Sequence, residues 1–178
     1  MKKYLFAFLI SFFSMSIAQA QNWQPVSAAV TFKLKMMGLA VNGSFKNLAA
    51  SVTFDPANLA SAQINGSLEA KTIFTDNSLR DRHLQEKEEF FEVVKFPTIK
   101  IKSTKIQAVG TGYTGLFDLT IKGVTKSVTI PFTFIKTGKN GKFEGSFTMN
   151  RKDWKVGGST FGMGTDVSVN ILLNVEPK

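Results

Sequence analysis

Apolar side chains recur at every second position along most of this chain, and that period decides what it can fold into. Val30, Phe32, Leu34 and Met36 occupy even positions, while Tyr113, Phe117, Leu119 and Ile121 occupy odd ones. Val128, Ile130, Phe132 and Phe134 make a third run. Phe143, Phe147 and Met149 make a fourth, and Val167, Val169, Ile171, Leu173 and Val175 a fifth. Side chains of a strand point alternately to its two faces, so apolar residues with threonine and lysine between them describe half-buried strands. Segments near 43–54, 62–74 and 98–109 raise the expected number to about eight, with turns at FDPAN (54–58), AVGTG (108–112) and KTGKNGK (136–142) between them.

So many antiparallel strands on short turns make either a sandwich or a closed barrel. The fourteen glycines and seventeen phenylalanines favour a barrel. Glycine recurs near the starts of three strands, in NGSF (42–45), NGSL (65–68) and EGSF (144–147), where a curling sheet needs corners. The expectation is an all-β, antiparallel barrel of about eight strands, wide enough inside to be packed with side chains or to hold one small ligand. Phe32, Met36, Phe45, Phe74, Phe117, Phe132 and Phe147 fall where such an interior would be. These side chains can line an apolar tunnel without demanding polar partners.

One segment breaks the period. RDRHLQEKEEFFEVVKFP (80–97) holds five of the chain's thirteen carboxylates and its only histidine, His83. Ser78-Leu79-Arg80-Asp81 has the form of a capping box, Leu84, Phe91 and Val94 fall on one helical face, and Pro97 ends the segment. The spacing predicts one or two short helices over about 78–95, covering one end of the barrel. Leu84, Phe90 and Phe91 would close the apolar end, and Arg80, Asp81 and His83 would hold the lid by ion pairs and hydrogen bonds.

Residues 1–20 read as a leader: Lys2 and Lys3, an apolar stretch from Leu5 to Ile17, then Ala18-Gln19-Ala20. That stretch is shorter than the ~20 residues of a membrane span, which favours a cleaved signal peptide over an anchor. Residues 21–178 are then one domain carrying a net charge of +7, against +9 for the whole chain. With no cysteine, the chain has no disulfides, thiolate metal ligands or cysteine nucleophile, and burial alone must hold it together.

The basic excess lies on strand lysines such as Lys33, Lys35, Lys100, Lys102 and Lys126, which discourage strand edges from pairing. Only three arginines are present, so a concentrated nucleic-acid footprint is lacking. Weak, transient attraction to an anionic membrane surface fits better. A serine triad lacks its elbow, because GGSTFG (157–162) has its glycines at the wrong offsets. One histidine with carboxylates makes a poor zinc set. Glu88 and Glu89 are adjacent and diverge on a helix, so they read as a solvated face. No catalytic residue, metal site or cofactor is expected; His83 reads as a hydrogen-bonded strut.

The block TDNSLRDRHLQEKEEFFEVVKFPTIKIKSTKI (75–106) resembles the signature of the YceI-like family of periplasmic polyisoprenoid-binding proteins. The matching positions are Thr75, Arg80, Asp81, His83, Leu84, Phe90, Phe91, Phe96 and Pro97. GLFDLTIKGVTKSVTIPFTF (115–134), NRKDWKVGG (150–158) and GSFKNLAASVTFDPANLASAQI (43–64) are similar to further blocks of that family. The resemblance implies a lipocalin-like barrel whose apolar tunnel holds an isoprenoid or other long-chain lipid in the bacterial periplasm, with no enzymatic step. Two departures are visible: Ser27 and Ala28 stand where members often carry His-Ser, and Lys155 stands where glycine is common.

Burying one isoprene unit is worth roughly 3–4 kcal/mol gross at ~0.8 kcal/mol per carbon group. A long tail therefore reaches the affinity ceiling unless ordering costs are large, and such a site tolerates variation in its cargo. Two other readings compete: a lipid-modifying enzyme with His83 as base, and a stress-related surface protein with a filled core. A homodimer is left open.

Overall fold

The computed structural model describes residues 21–178, so the expected leader lies outside the described residues. In chain order the elements are β1 (Asn22–Met36), β2 (Leu39–Phe45), β3 (Ala49–Thr53), β4 (Gln63–Glu69), α1 (Ser78–Glu86), β5 (Thr98–Val109), β6 (Gly112–Ile121), β7 (Val124–Thr137), β8 (Asn140–Asn150) and β9 (Asp166–Pro177). From β3 to β9 each strand pairs antiparallel with the next. β9 returns to β1, from Trp23 opposite Pro177 to Lys33 opposite Ser168, and closes the sheet into a barrel. Closure leaves no long edge for another chain to pair with.

Nine strands make eight staves, in line with the expected number. β2 and β3 lie along the same edge of β1, β2 beside Val30–Met36 and β3 beside Asn22 and Trp23. The stave breaks at residues 46–48, where Asn47 takes a left-handed φ of +58°. Opposite the break, the other edge of β2 pairs with Phe74 through two bonds, Ser44 N–H to Phe74 O at 2.8 Å and Phe74 N–H to Ser44 O at 2.9 Å. This short patch keeps the wall continuous between β2 and the chain leaving β4.

The two ends are built differently. At the first end lie the β1–β2 and β6–β7 turns and two long connections, β4 to β5 through α1 and β8 to β9 through the 3-10 helix Arg151–Trp154. At the second end lie the remaining turns and the first and last strand residues. Trp23, Val52, Phe54, Phe132, Phe143 and Val175 pack there into a solid cluster. Phe54 is 0% exposed, with ring centroids of Tyr113, Phe134 and Phe143 at 5.0, 5.1 and 5.2 Å in edge-to-face contact. The Trp23 indole N–H, which burial obliges to find an acceptor, donates to Phe54 O at 2.8 Å.

The glycines expected at corners serve close approach. A Cβ on Gly43 would stand 2.2 Å from the Phe32 ring lying over it from β1. Gly66 and Gly145 similarly sit under Ile101 and Ile130. The segment after β4 also departs from expectation. Asn77, not Ser78, caps α1, its Oδ1 accepting the Arg80 N–H at 2.9 Å. Asp81 is no capping-box partner, since its carboxylate faces Thr75. Residues after Glu86 form tight turns instead of a second helix, with Phe91 N–H donating to Leu84 O and Val93 N–H to Gln85 O. Leu84, Phe91 and Val94 therefore share no helical face, and Val94 is almost fully exposed.

Candidate functional site

The aromatic cluster fills only one half of the barrel. Above it, toward the first end, the interior is hollow: a cavity of about 560 Å³ lined from α1, both long connections and every strand except β3's neighbourhood of Val52. That volume lies inside the ~300–1,000 Å³ range of small-molecule sites. Inward-facing positions of the alternation supply an almost wholly apolar wall, including Val30, Leu34, Leu119, Ile130 and Val169.

Nine of the ten apolar candidates border this cavity. Phe32 and Met36 come from β1, Phe45 from β2, Leu84 from α1, Phe90 and Phe91 from the turns after it, and Phe117, Phe132 and Phe147 from β6, β7 and β8. Phe91 stands edge-on to Phe45, ring centroids 5.8 Å apart, and so joins the lid to the barrel wall. Phe74 is the exception. Its ring is half exposed on the outside, with Lys46 Nζ 5.8 Å from the centroid. The short 3-10 helix Ala70–Thr72 shifts the parity of the chain after β4, so Ile73 turns inward in its place, 4% exposed.

The polar candidates divide. Thr75, buried where the chain crosses toward α1, donates its hydroxyl to Asp81 Oδ1 at 2.5 Å and accepts from Arg80 Nε at 2.7 Å. Arg80 Nη2 also donates to Thr75 O. Two successive helix residues thus pin α1 to the wall. His83 stands apart from this network and, among the described residues, its ring makes no hydrogen bond. Spacing of three and four residues puts Arg80, His83, Leu84 and Lys87 on one side of α1, and all four border the cavity. Asp81 does not border it. Ser27 and Ala28 are exposed on β1 beside β9, and neither borders the cavity.

Arg151 is the residue that periodicity could not single out. It is 2% exposed, has no carboxylate partner among the described residues and donates to four carbonyls: Gly164 O at 2.8 Å, Val156 O at 2.7 Å, Gly158 O at 3.3 Å and Met163 O at 3.0 Å. Burial lowers its pKa from the ordinary arginine value. The rigid fork of N–H groups gathers the whole 156–164 loop over the cavity, a task a lysine point charge does poorly. Trp154, three residues on, is buried against Leu119 and donates its indole N–H to Leu119 O at 3.0 Å. The only advance sign was the Arg-x-Asp-aromatic pattern at 151–154.

A sequence model of the YceI-like domain matches residues 22–175, from β1 almost to the end of β9. The chain belongs to the YceI-like family. Among curated relatives, a UPF0312 protein of Pseudomonas savastanoi is 34% identical over 141 residues, 74% of this chain and 72% of that one. The crystal structure of Burkholderia cenocepacia BcnA superposes with a TM-score of 0.78 at 26% identity, covering 83% of this chain and 95% of that chain. A polyisoprenoid binding domain from Saccharophagus degradans, implicated in plant cell wall breakdown, superposes at 0.66 with 11% identity, covering 89% and 99%; at that identity it shows the shared fold alone. The YceI-like match spans the lid segment and the Arg151 loop, the two long connections that border the cavity.

Proposed function

We propose that this protein is a binding and carrier protein for a long apolar lipid tail, an isoprenoid or a similar chain, held in the hollow half of the barrel. The observation that carries the reading is the cavity: about 560 Å³, apolar on nearly every side, stopped at one end by packed aromatic rings and covered at the other by α1 and the Arg151 loop. Phe32, Met36, Phe45, Phe90, Phe91, Phe117, Phe132 and Phe147 would surround the chain, with Leu84 closing from the helix. Desolvation supplies the affinity, at about 25 cal/mol per Å² of apolar surface removed from water. A prenyl tail is the first candidate, as the resemblance of residues 75–106 to the polyisoprenoid-binding YceI-like proteins implies. Arg80 and Asp81 act through Thr75 to place the lid, and no chemical step is assigned to His83. Export to the periplasm through the leader at 1–20 is part of the same reading, since a carrier for membrane-derived lipid needs an aqueous gap to cross.

Mass spectrometry of an organic extract from protein purified without detergent is the test. A lipid present in near one-to-one amount is the expected result; an empty extract, followed by failure to take up a prenyl alcohol, overturns the reading. Phe91→Asp, which places a carboxylate at the lid seam, is expected to cut retention at least tenfold. His83→Gln is expected to leave it unchanged.

A further inference from the structure

The mouth of the cavity is edged by apolar side chains that nothing among the described residues covers. Met37, in the β1–β2 turn, and Leu39, at the start of β2, are 64% and 74% exposed, and Phe161, in the β8–β9 connection, is 84% exposed. They form one patch. Met37 N–H donates to Gly162 O at 2.8 Å, and Met36, which pairs with Leu39, also bridges to Met163. Met36, Met163 and Thr160 border the cavity, so the patch is its lip on that side. Across the opening, Leu79 of α1 borders the cavity and is still 56% exposed. Large contiguous apolar surface on a soluble protein marks an interaction site.

The charges beside the lip choose the partner. Lys33 and Lys35 stand exposed on β1 below Met37, and neither lies within ion-pair distance of a carboxylate among the described residues. Asp166, at the start of β9, is the acid nearest these lysines along the wall; Asp76, Glu86, Glu88 and Glu89 are also exposed at this end, in the β4–β5 connection, where Lys87 stands 4.0 Å from Glu89. Apolar tips flanked by unpaired lysines suit the surface of an anionic bilayer: the tips enter the acyl boundary and the ammonium groups meet lipid phosphates. A protein partner of matching shape, or a second copy, would have no particular use for a lip that surrounds an opening.

We propose that Met37, Leu39, Phe161 and Leu79 form a docking rim that seats the barrel, mouth down, on an anionic phospholipid bilayer, so that a tail passes between membrane and cavity without crossing water. The proposal shares the mouth with the carrier reading and rests on different observations, so each can fail alone. The experiment is flotation of the full chain with vesicles of phosphatidylcholine alone and of phosphatidylcholine with phosphatidylglycerol, beside Leu39→Ser/Phe161→Ser and Lys33→Gln/Lys35→Gln variants. Leu79→Ser serves as a single-site check should the double variant fold poorly. Docking is expected on the anionic vesicles, weakened roughly tenfold by the serine pair, and several-fold by the glutamine pair or by raised salt. Lipid content of the extract reports cargo independently. Absence of vesicle binding, binding untouched by the serine variants, or a solution dimer that those variants dissolve would each overturn the proposal.

Discussion

The same alternating strands run through both ends of this barrel, yet one end is solid and the other hollow. At the second end the inward positions carry rings that meet edge to face, with Phe54 and Val175 at 0% and 1% exposure. At the first end the inward positions carry Met36, Phe45, Leu119, Phe147 and Val169, which line a space instead of filling it, and the roof is formed by the two long connections. Stability is concentrated in one half and binding capacity in the other. A protein that must stay folded while its cavity empties has reason to separate the two.

The sharpest way to break that division is at the solid end. Phe54→Ala removes the ring at the centre of the cluster and is expected to cost about 4 kcal/mol, a large share of the ~5–15 kcal/mol available to a domain. Urea denaturation measures it; lipid retained per folded molecule should not change. Loss of retention with little loss of stability would mean that the two halves do not divide the work as described.

Arg151→Met tests the roof. Methionine keeps much of the volume and leaves the carbonyls of Val156, Gly158, Met163 and Gly164 without their donor. Buried acceptors left unpaired cost about 1–3 kcal/mol each, relaxed in part by water at the mouth, so a loss of about 3 kcal/mol is expected. Unlike Phe54→Ala, this variant should also lose cargo. Arg151→Lys should rescue neither property.

A matched pair sharpens the comparison further. Val169 and Val175 lie on one strand and both face inward, Val169 bordering the cavity and Val175 inside the aromatic cluster. Val175→Phe overpacks a filled site and should cost about 1–3 kcal/mol. Val169→Phe enters empty space, should stay within about 1 kcal/mol of the parent, and should displace cargo. Equal stability losses, read by thermal melting of the lipid-free proteins, would mean that the cavity is filled in solution.

Much of this was legible because strand parity is a simple code. Five long runs named the inward residues, and nine of ten candidates border the cavity. The misses fall where the code changes phase. Inward residues are odd at Val41, Gly43 and Phe45 and even at Ala50, Val52 and Phe54, a flip that signals the broken stave at 46–48. Phe74 was misplaced by a second flip, at the 3-10 helix Ala70–Thr72. The lid's composition was legible but not its path, since Glu92 adopts a left-handed φ of +49° that helix propensity does not forecast. Arg151 was hidden for another reason: a charged side chain is rarely buried unless paired, and here backbone carbonyls, which no residue pattern displays, take the place of an acid.

Lys155 offers the smallest effect and the narrowest test. It closes the Arg151–Trp154 helix with φ +57°, a left-handed conformation that costs a side chain roughly 1–2 kcal/mol and glycine little. Its side chain is exposed and in no ion pair among the described residues; its backbone N–H donates to Lys152 O at 3.0 Å and its carbonyl accepts from Lys122 Nζ at 3.3 Å. Lys155→Gly keeps that carbonyl and relieves the strain, against the added freedom glycine gives the unfolded chain. A net gain of about 0.5–1 kcal/mol in urea denaturation is expected, with cargo unchanged. A loss of stability instead would mean that the lysine is held by something at the roof beyond its backbone, and the hollow end would then owe part of its order to that contact.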